Sequence, residues 1–161
     1  MTLGKLMALA AMKQDLNVTW YPSYGAEVRG GTAHCHVVVK DGEIFCPLVE
    51  AASTLVIMNE PSLKRFQPRL VDGGLMVLNS SLAEKPSNSN GTVLCVPATD
   101  IANELKNIRI ANMVMLGALN VAKQIVKEST LEEALKEFLK GKEKLFDINM
   151  RAYDRGREVV Q

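Results

Sequence analysis

An α/β domain with a mostly parallel sheet and one antiparallel hairpin is the fold class this sequence predicts. Three observations predict it. Residues 54–58, 75–78 and 92–96 are short apolar runs without alternation, as in strands buried on both faces. Helix-patterned segments follow and separate these runs, the order of β–α–β units. Between the apolar runs 33–39 and 44–46 sits Asp41-Gly42, a strong two-residue hairpin signal.

The elements follow in order. Residues 3–13 are rich in Ala, Leu and Met and read as a helix. Residues 18–21 read as a strand. The Asp41-Gly42 turn sets Val39 opposite Ile44 and Val37 opposite Cys46. In that register Cys35, Val37, Val39, Ile44 and Cys46 share one face, and His34, His36, Val38 and Phe45 share the other. After the strand 54–58, Pro61 fits the first turn of a helix that ends near Phe66. A turn at Gly73-Gly74 leads into the strand 75–78. Residues 84–91, dominated by Pro, Ser and Asn, form a flexible loop before the strand 92–96. Helices are predicted over 99–105, 109–127, 131–140 and 142–159, with Gly141 capping the third. The helix 109–127 is apolar nearly all round, so the domain or a partner must bury it.

Composition narrows the class of function. The 161 residues suit one domain, residues 1–161, with a real core, and 47% hydrophobic content is that of a globular protein. A net charge of +1 gives no reason to expect nucleic acid or an anionic membrane as partner. The longest apolar run, 110–119, is interrupted by Asn112 and is too short to span a bilayer. No basic leader with a cleavage site opens the chain, and the three cysteines, Cys35, Cys46 and Cys95, form no CxxC pair. Reduced thiols in a cytoplasm fit best.

The most informative stretch is residues 20–39. It contains Tyr21-Pro22-Ser23-Tyr24-Gly25-Ala26-Glu27-Val28-Arg29-Gly30-Gly31, a loop between two strands. Loops held by a rigid sheet concentrate binding residues. Further along come Asn59-Glu60-Pro61-Ser62-Leu63, Gly73-Gly74 with Asn79-Ser80-Ser81, Val96-Pro97-Ala98-Thr99, and Asn112-Met113-Val114-Met115-Leu116-Gly117. These five motifs, in this order, resemble the gamma subunit of the ferredoxin-dependent 2-oxoacid oxidoreductases, the pyruvate/2-oxoglutarate/2-oxoisovalerate group. The resemblance runs to about residue 120.

The resemblance implies a three-layer Rossmann-like fold and a subunit that is not active alone. Such complexes oxidatively decarboxylate a 2-oxoacid to acyl-CoA, here expected to be 2-oxoglutarate or a branched-chain 2-oxoacid. Thiamine diphosphate, Mg, iron–sulfur clusters and coenzyme A serve the complex, and none is expected on this chain alone. The implied partners are alpha, beta and iron–sulfur (delta) subunits, with ferredoxin reached through the complex. Family members open with a strand and a Gly-x-Gly-Gly-Gln-Gly turn, which this sequence lacks. Thr2-Leu3-Gly4-Lys5-Leu6 resembles the helix just after that turn, so a first strand and turn are expected upstream of Met1; the alternative is a natural variant that dispenses with that strand. The alternative to a complex subunit is a stand-alone Rossmann-like module that holds a nucleotide or CoA.

No residue is assigned a catalytic role. Ser23, Tyr24, Gly25, Glu27, Arg29, Gly30 and Asn59 are the candidates for CoA binding or a subunit interface. Arg29 suits a phosphate or carboxylate, which a guanidinium grips with two hydrogen bonds. Residue types alone favour an ion pair of Glu27 and Arg29 with each other or with a partner subunit. His34 and His36 share a strand face, but a metal site needs more ligands and the chain has no other His. No metal is therefore assigned. Cys35 and Cys46 can approach across the hairpin as buried thiols. Asn59 and Asn79 end predicted strands, at the edge where open α/β sheets gather ligands. Asn is also common in turns. Asn112 is expected to bond a backbone group in the core.

Overall fold

A computed structural model describes residues 1–24 and 32–160. Among them the order is α1 (Thr2–Met12), β1 (Asn17–Ser23), β2 (His34–Lys40), β3 (Ala52–Ile57), α2 (Glu60–Phe66), β4 (Leu70–Asn79), β5 (Thr92–Val96), α3 (Ala98–Glu104), α4 (Ala111–Lys123), α5 (Glu128–Phe138) and α6 (Phe146–Glu158). The α/β class is therefore observed, and the helices fall within about one turn of their predicted positions. The chain divides into two compact units, Met1–Val49 with Ile125–Phe146, and Glu50–Gln124 with Asp147–Gln161.

In the first unit, β1 and β2 form an antiparallel ribbon in which Val18 faces Val39, Trp20 faces Val37 and Tyr21 faces His36. The ribbon supplies the antiparallel part of the fold, and it corrects one expectation. Residues 44–46 do not pair with β2, and Cys46 is exposed rather than opposite Val37. Gly42, at φ +122°, turns the chain, but the next segment leaves the ladder. Pro47 lacks the N–H that a ladder position needs. β1 offers a longer apolar match instead. The face holding Trp20, Cys35 and Val37 packs on α1, where Gly4 has no room for a side chain: a Cβ there would lie 2.5 Å from the Cys35 sulfur. On its other side α1 meets α5. Lys13 pairs with Glu137 at 2.9 Å, and the Gln14 side-chain oxygen accepts from the Thr130 hydroxyl at 2.8 Å and from the Lys127 N–H. Glu137 holds the Lys13 pKa above its ordinary value, mainly through that hydrogen bond.

The second unit is built on a parallel sheet in the order β3-β4-β5. Thr54 pairs with Leu75 and Leu75 with Thr92. Met76, Val77 and Leu78, at its centre, are wholly buried, as the unbroken apolar run required. β4 begins earlier than expected, at Leu70. Its register against β3 shifts between Ala52 and Thr54, and Gly73 sits inside the strand at φ +72°. The two glycines therefore form a bulge within a strand, not a turn before one. Leu63 and Phe66 of α2 pack on Ile57, Met76 and Leu78, with Leu55, Val93 and Cys95 around them. Side chains alternate along a strand, so Val77 and Val96 lie on the opposite face, where α4 meets β4 and β5. This gives the unit its three layers. α6 covers α4, and the Asn120 amide donates to the Tyr153 hydroxyl at 3.0 Å.

Candidate functional site

Two places carry the residues singled out in the sequence. The first is the end of the β1–β2 ribbon. Ser23 closes β1, faces His34 and is half-buried, whereas Tyr24 is 71% exposed. Gly25, Glu27, Arg29 and Gly30 lie outside the described residues. The ribbon thus fixes both anchors of the segment that contains them. His34 and His36 do share a face, with ring centroids 5.4 Å apart, and the Tyr21 ring lies 6.2 Å from that of His36. Nδ1 of His36 accepts the backbone N–H of Val49 at 2.9 Å. That nitrogen is committed to holding the returning chain. Among the described residues no three His, Cys, Asp or Glu side chains are grouped to hold a metal.

The second place is the C-terminal edge of β3-β4-β5. Asn59 is the N-cap of α2: its side-chain oxygen accepts the Ser62 N–H at 3.1 Å, and Pro61 occupies the first turn. This gives the Asn-Glu-Pro-Ser-Leu motif a structural account. Glu60 extends the clasp. Its backbone N–H donates to the Leu82 carbonyl at 3.1 Å, its carboxylate accepts the Glu84 N–H at 3.4 Å, and Lys64 lies 3.6 Å away. Asn79 is fully buried and uses its whole amide. It donates to the Met58 carbonyl at 3.0 Å and to the Thr99 hydroxyl at 2.9 Å, and it accepts the Thr99 N–H at 3.3 Å. One side chain therefore ties the ends of β3 and β4 to the start of α3. Beside it, Glu60, Ser80, Ser81, Leu82, Ala83 and Glu84 line an open depression.

The structure thus separates the candidates. Ser23 and Tyr24 stand at the ribbon end, while Asn59 belongs to the sheet edge in the other unit. Sequence reading overlooked Glu60 and Thr99 as the partners that organise this edge. Each stood inside a motif already noted, but only the fold brings Thr99 to Asn79, twenty residues earlier. Asn112 is half-buried, and Asn120, not singled out before, is the buried amide of α4.

Motif order, mixed α/β architecture and the parallel sheet converge on one assignment. The chain belongs to the pyruvate ferredoxin/flavodoxin oxidoreductase family, whose model matches residues 1–159. It is 37% identical to ketoisovalerate oxidoreductase subunit VorA of Methanothermobacter thermautotrophicus across 98% of its own length. It spans only 33% of VorA. With 2-oxoglutarate synthase subunit KorC of Methanothermobacter marburgensis it shares 34% identity, over 98% of this chain and 86% of KorC. Its fold matches that of a 2-oxoglutarate:ferredoxin oxidoreductase from Magnetococcus marinus, solved with 2-oxoglutarate, coenzyme A and succinyl-CoA bound. The TM-score is 0.88 at 24% identity, covering 99% of this chain and 28% of the other.

Proposed function

We propose that this chain is the gamma-type subunit of a thiamine diphosphate-dependent 2-oxoacid:ferredoxin oxidoreductase, without activity of its own. The family match over residues 1–159 carries this reading. The complex oxidatively decarboxylates a 2-oxoacid to acyl-CoA and passes the electrons to ferredoxin. The names of KorC and VorA support 2-oxoglutarate or a branched-chain 2-oxoacid as substrate. Alpha, beta and iron–sulfur subunits hold thiamine diphosphate with Mg and the clusters. The gamma-type subunit contributes the loop from Ser23 to Gly30 to coenzyme A or to the subunit interface. Arg29 suits the phosphates of coenzyme A, because its fork of N–H donors matches their oxygens. CoA among the ligands of the Magnetococcus marinus structure is in keeping with this. Asn59 acts indirectly, by capping α2 at the sheet edge. The assembly works in the cytoplasm; no helix among the described residues is long and apolar enough to cross a membrane.

The test is turnover. The purified chain, supplied with thiamine diphosphate, Mg, coenzyme A, a 2-oxoacid and a dye acceptor, should be inactive. Co-expression with alpha, beta and iron–sulfur subunits should give CoA-dependent activity on 2-oxoglutarate or 2-oxoisovalerate. Turnover by the chain alone would overturn the reading. Tight CoA binding by a chain that assembles with nothing would favour a stand-alone module.

A further inference from the structure

Residues 41–49 leave the β1–β2 ribbon and run to the end of this stretch of the first unit, and little holds them. They form no strand or helix, and none of them is buried. At the start of the segment the Lys40 ammonium donates to the Glu43 carbonyl at 3.4 Å, an exposed contact in competition with water. Among the described residues, the backbone N–H of Val49 is the only one in this segment that finds an acceptor. That acceptor is Nδ1 of His36, 2.9 Å away and thirteen residues earlier. One hydrogen bond therefore closes the far end of the segment back onto β2.

The acceptor is titratable, and the bond exists in only one of its protonation states. A neutral imidazole accepts at the nitrogen that carries no proton, whereas a protonated ring has an N–H at both nitrogens and accepts at neither. Protonating His36 would set two N–H groups against each other across the 2.9 Å contact. We propose that His36 is an acid-sensitive clasp: its neutral ring holds residues 41–49 on the ribbon, and protonation of Nδ1 lets them go. Because the hydrogen bond favours the neutral ring, the clasp is intact on the alkaline side of the ring's titration and lost on the acid side. An ordinary imidazole titrates near ~6.5, so modest acidification is enough to act on such a group. The rings of His34 and Tyr21 stand around it, with centroids at 5.4 Å from His34 to His36 and 6.2 Å from Tyr21 to His36. A charge on one imidazole disfavours a charge on the other, so the two histidines titrate as a coupled pair. Residues 18–23, 34–39 and 44–49 contain no Asp, Glu, Lys or Arg. Cys46 is the other titratable side chain of 44–49, with Lys40, Asp41 and Glu43 before it and Glu50 after it. Glu27 and Arg29 lie outside the described residues. The segment carries the exposed side chains of Phe45 and Leu48, so the clasp fixes where that apolar surface is presented.

The test is nuclear magnetic resonance on the full chain labelled with nitrogen-15, from about pH 8 to about pH 5. At the alkaline end the His36 ring should carry its proton on Nε2. The Val49 amide should be protected from hydrogen exchange, measured against an unstructured peptide at the same pH. As His36 titrates, that protection should fall at least about tenfold, with the ring's own midpoint, because one local hydrogen bond is lost. The amides of the β1–β2 ladder should keep theirs. His36→Asn, which offers a side-chain oxygen that does not titrate, should protect Val49 equally at both ends of the range, and His36→Phe should leave it unprotected at both. The wild-type titration decides the question even if a variant fails to fold. Constant protection of Val49 while His36 titrates, or a proton on Nδ1 at the alkaline end, would overturn the proposal. So would a His36 that stays neutral throughout, a fall that tracks His34 instead, or a loss shared with the ladder, which is general unfolding.

Discussion

Asn79 shows what a single residue does in this fold. A polar side chain at the end of an apolar strand is legible in the sequence, and two readings competed for it, turn residue and ligand-edge residue. The structure gives a third. Its amide is spent entirely on Met58 and Thr99, so it holds the sheet edge together. Asn79→Ala should strand buried partners at a cost of about 1–3 kcal/mol each. A urea titration should therefore show a lower midpoint with an unchanged slope. A midpoint equal to wild type would mean that water or a shifted side chain satisfies Thr99. Asn59 was legible in the same way, and here the local rule succeeded. An Asn followed by Glu-Pro-Ser reads as a cap, and it is one. The difference is range: a cap closes over three residues, whereas Asn79 meets a partner that only the tertiary fold supplies.

At the scale of elements, helix pairing is set by two glycines, Gly117, which ends the fifth motif noted in the sequence, and Gly156, which the sequence did not flag. A Cβ on Gly117 of α4 would lie 2.0 Å from the Tyr153 carbonyl oxygen, and one on Gly156 of α6 would lie 1.9 Å from that of Val114. The two backbones touch because neither helix has a side chain there. Gly117→Ala gains about 1 kcal/mol of helix propensity. It also forces α4 and α6 apart, and overpacking of this kind costs about 1–3 kcal/mol or more. The displacement should break the Asn120–Tyr153 hydrogen bond too. Net destabilisation by thermal melting is the expected outcome; a stabilised variant would show that the helices separate freely. Strand pairing taught the complementary lesson. Residues 33–39 were correctly read as a strand, but Asp41-Gly42 named the wrong partner. A turn signal is local, while the ladder is decided by which apolar strand matches Val37 and Val39, and Pro47 weakened the near candidate. The helices, governed by local periodicity, were placed more accurately than the one strand pairing that the turn signal named.

For the molecule as a whole, the family was legible because its motifs mark the ends of elements. The Asn-Glu-Pro-Ser run caps α2, Gly73-Gly74 bulges β4, and Val96-Pro97-Ala98-Thr99 carries β5 into α3. What those elements serve was less legible, because on the proposed reading the chain's purpose lies partly in surfaces that meet other chains. The segment of Glu27 and Arg29, which lies outside the described residues, is the clearest case. β1 and β2 lie on either side of it in the chain, yet on the proposed reading the ligand it meets belongs to the assembled enzyme. The most direct measurement is steady-state kinetics of the assembled oxidoreductase carrying Arg29→Ala. Loss of a charge-assisted contact worth about 1.5–3 kcal/mol should raise KM for coenzyme A by roughly 10–100-fold, or weaken assembly by a like factor, with KM for the 2-oxoacid unchanged. Wild-type KM for coenzyme A together with wild-type assembly would contradict the account.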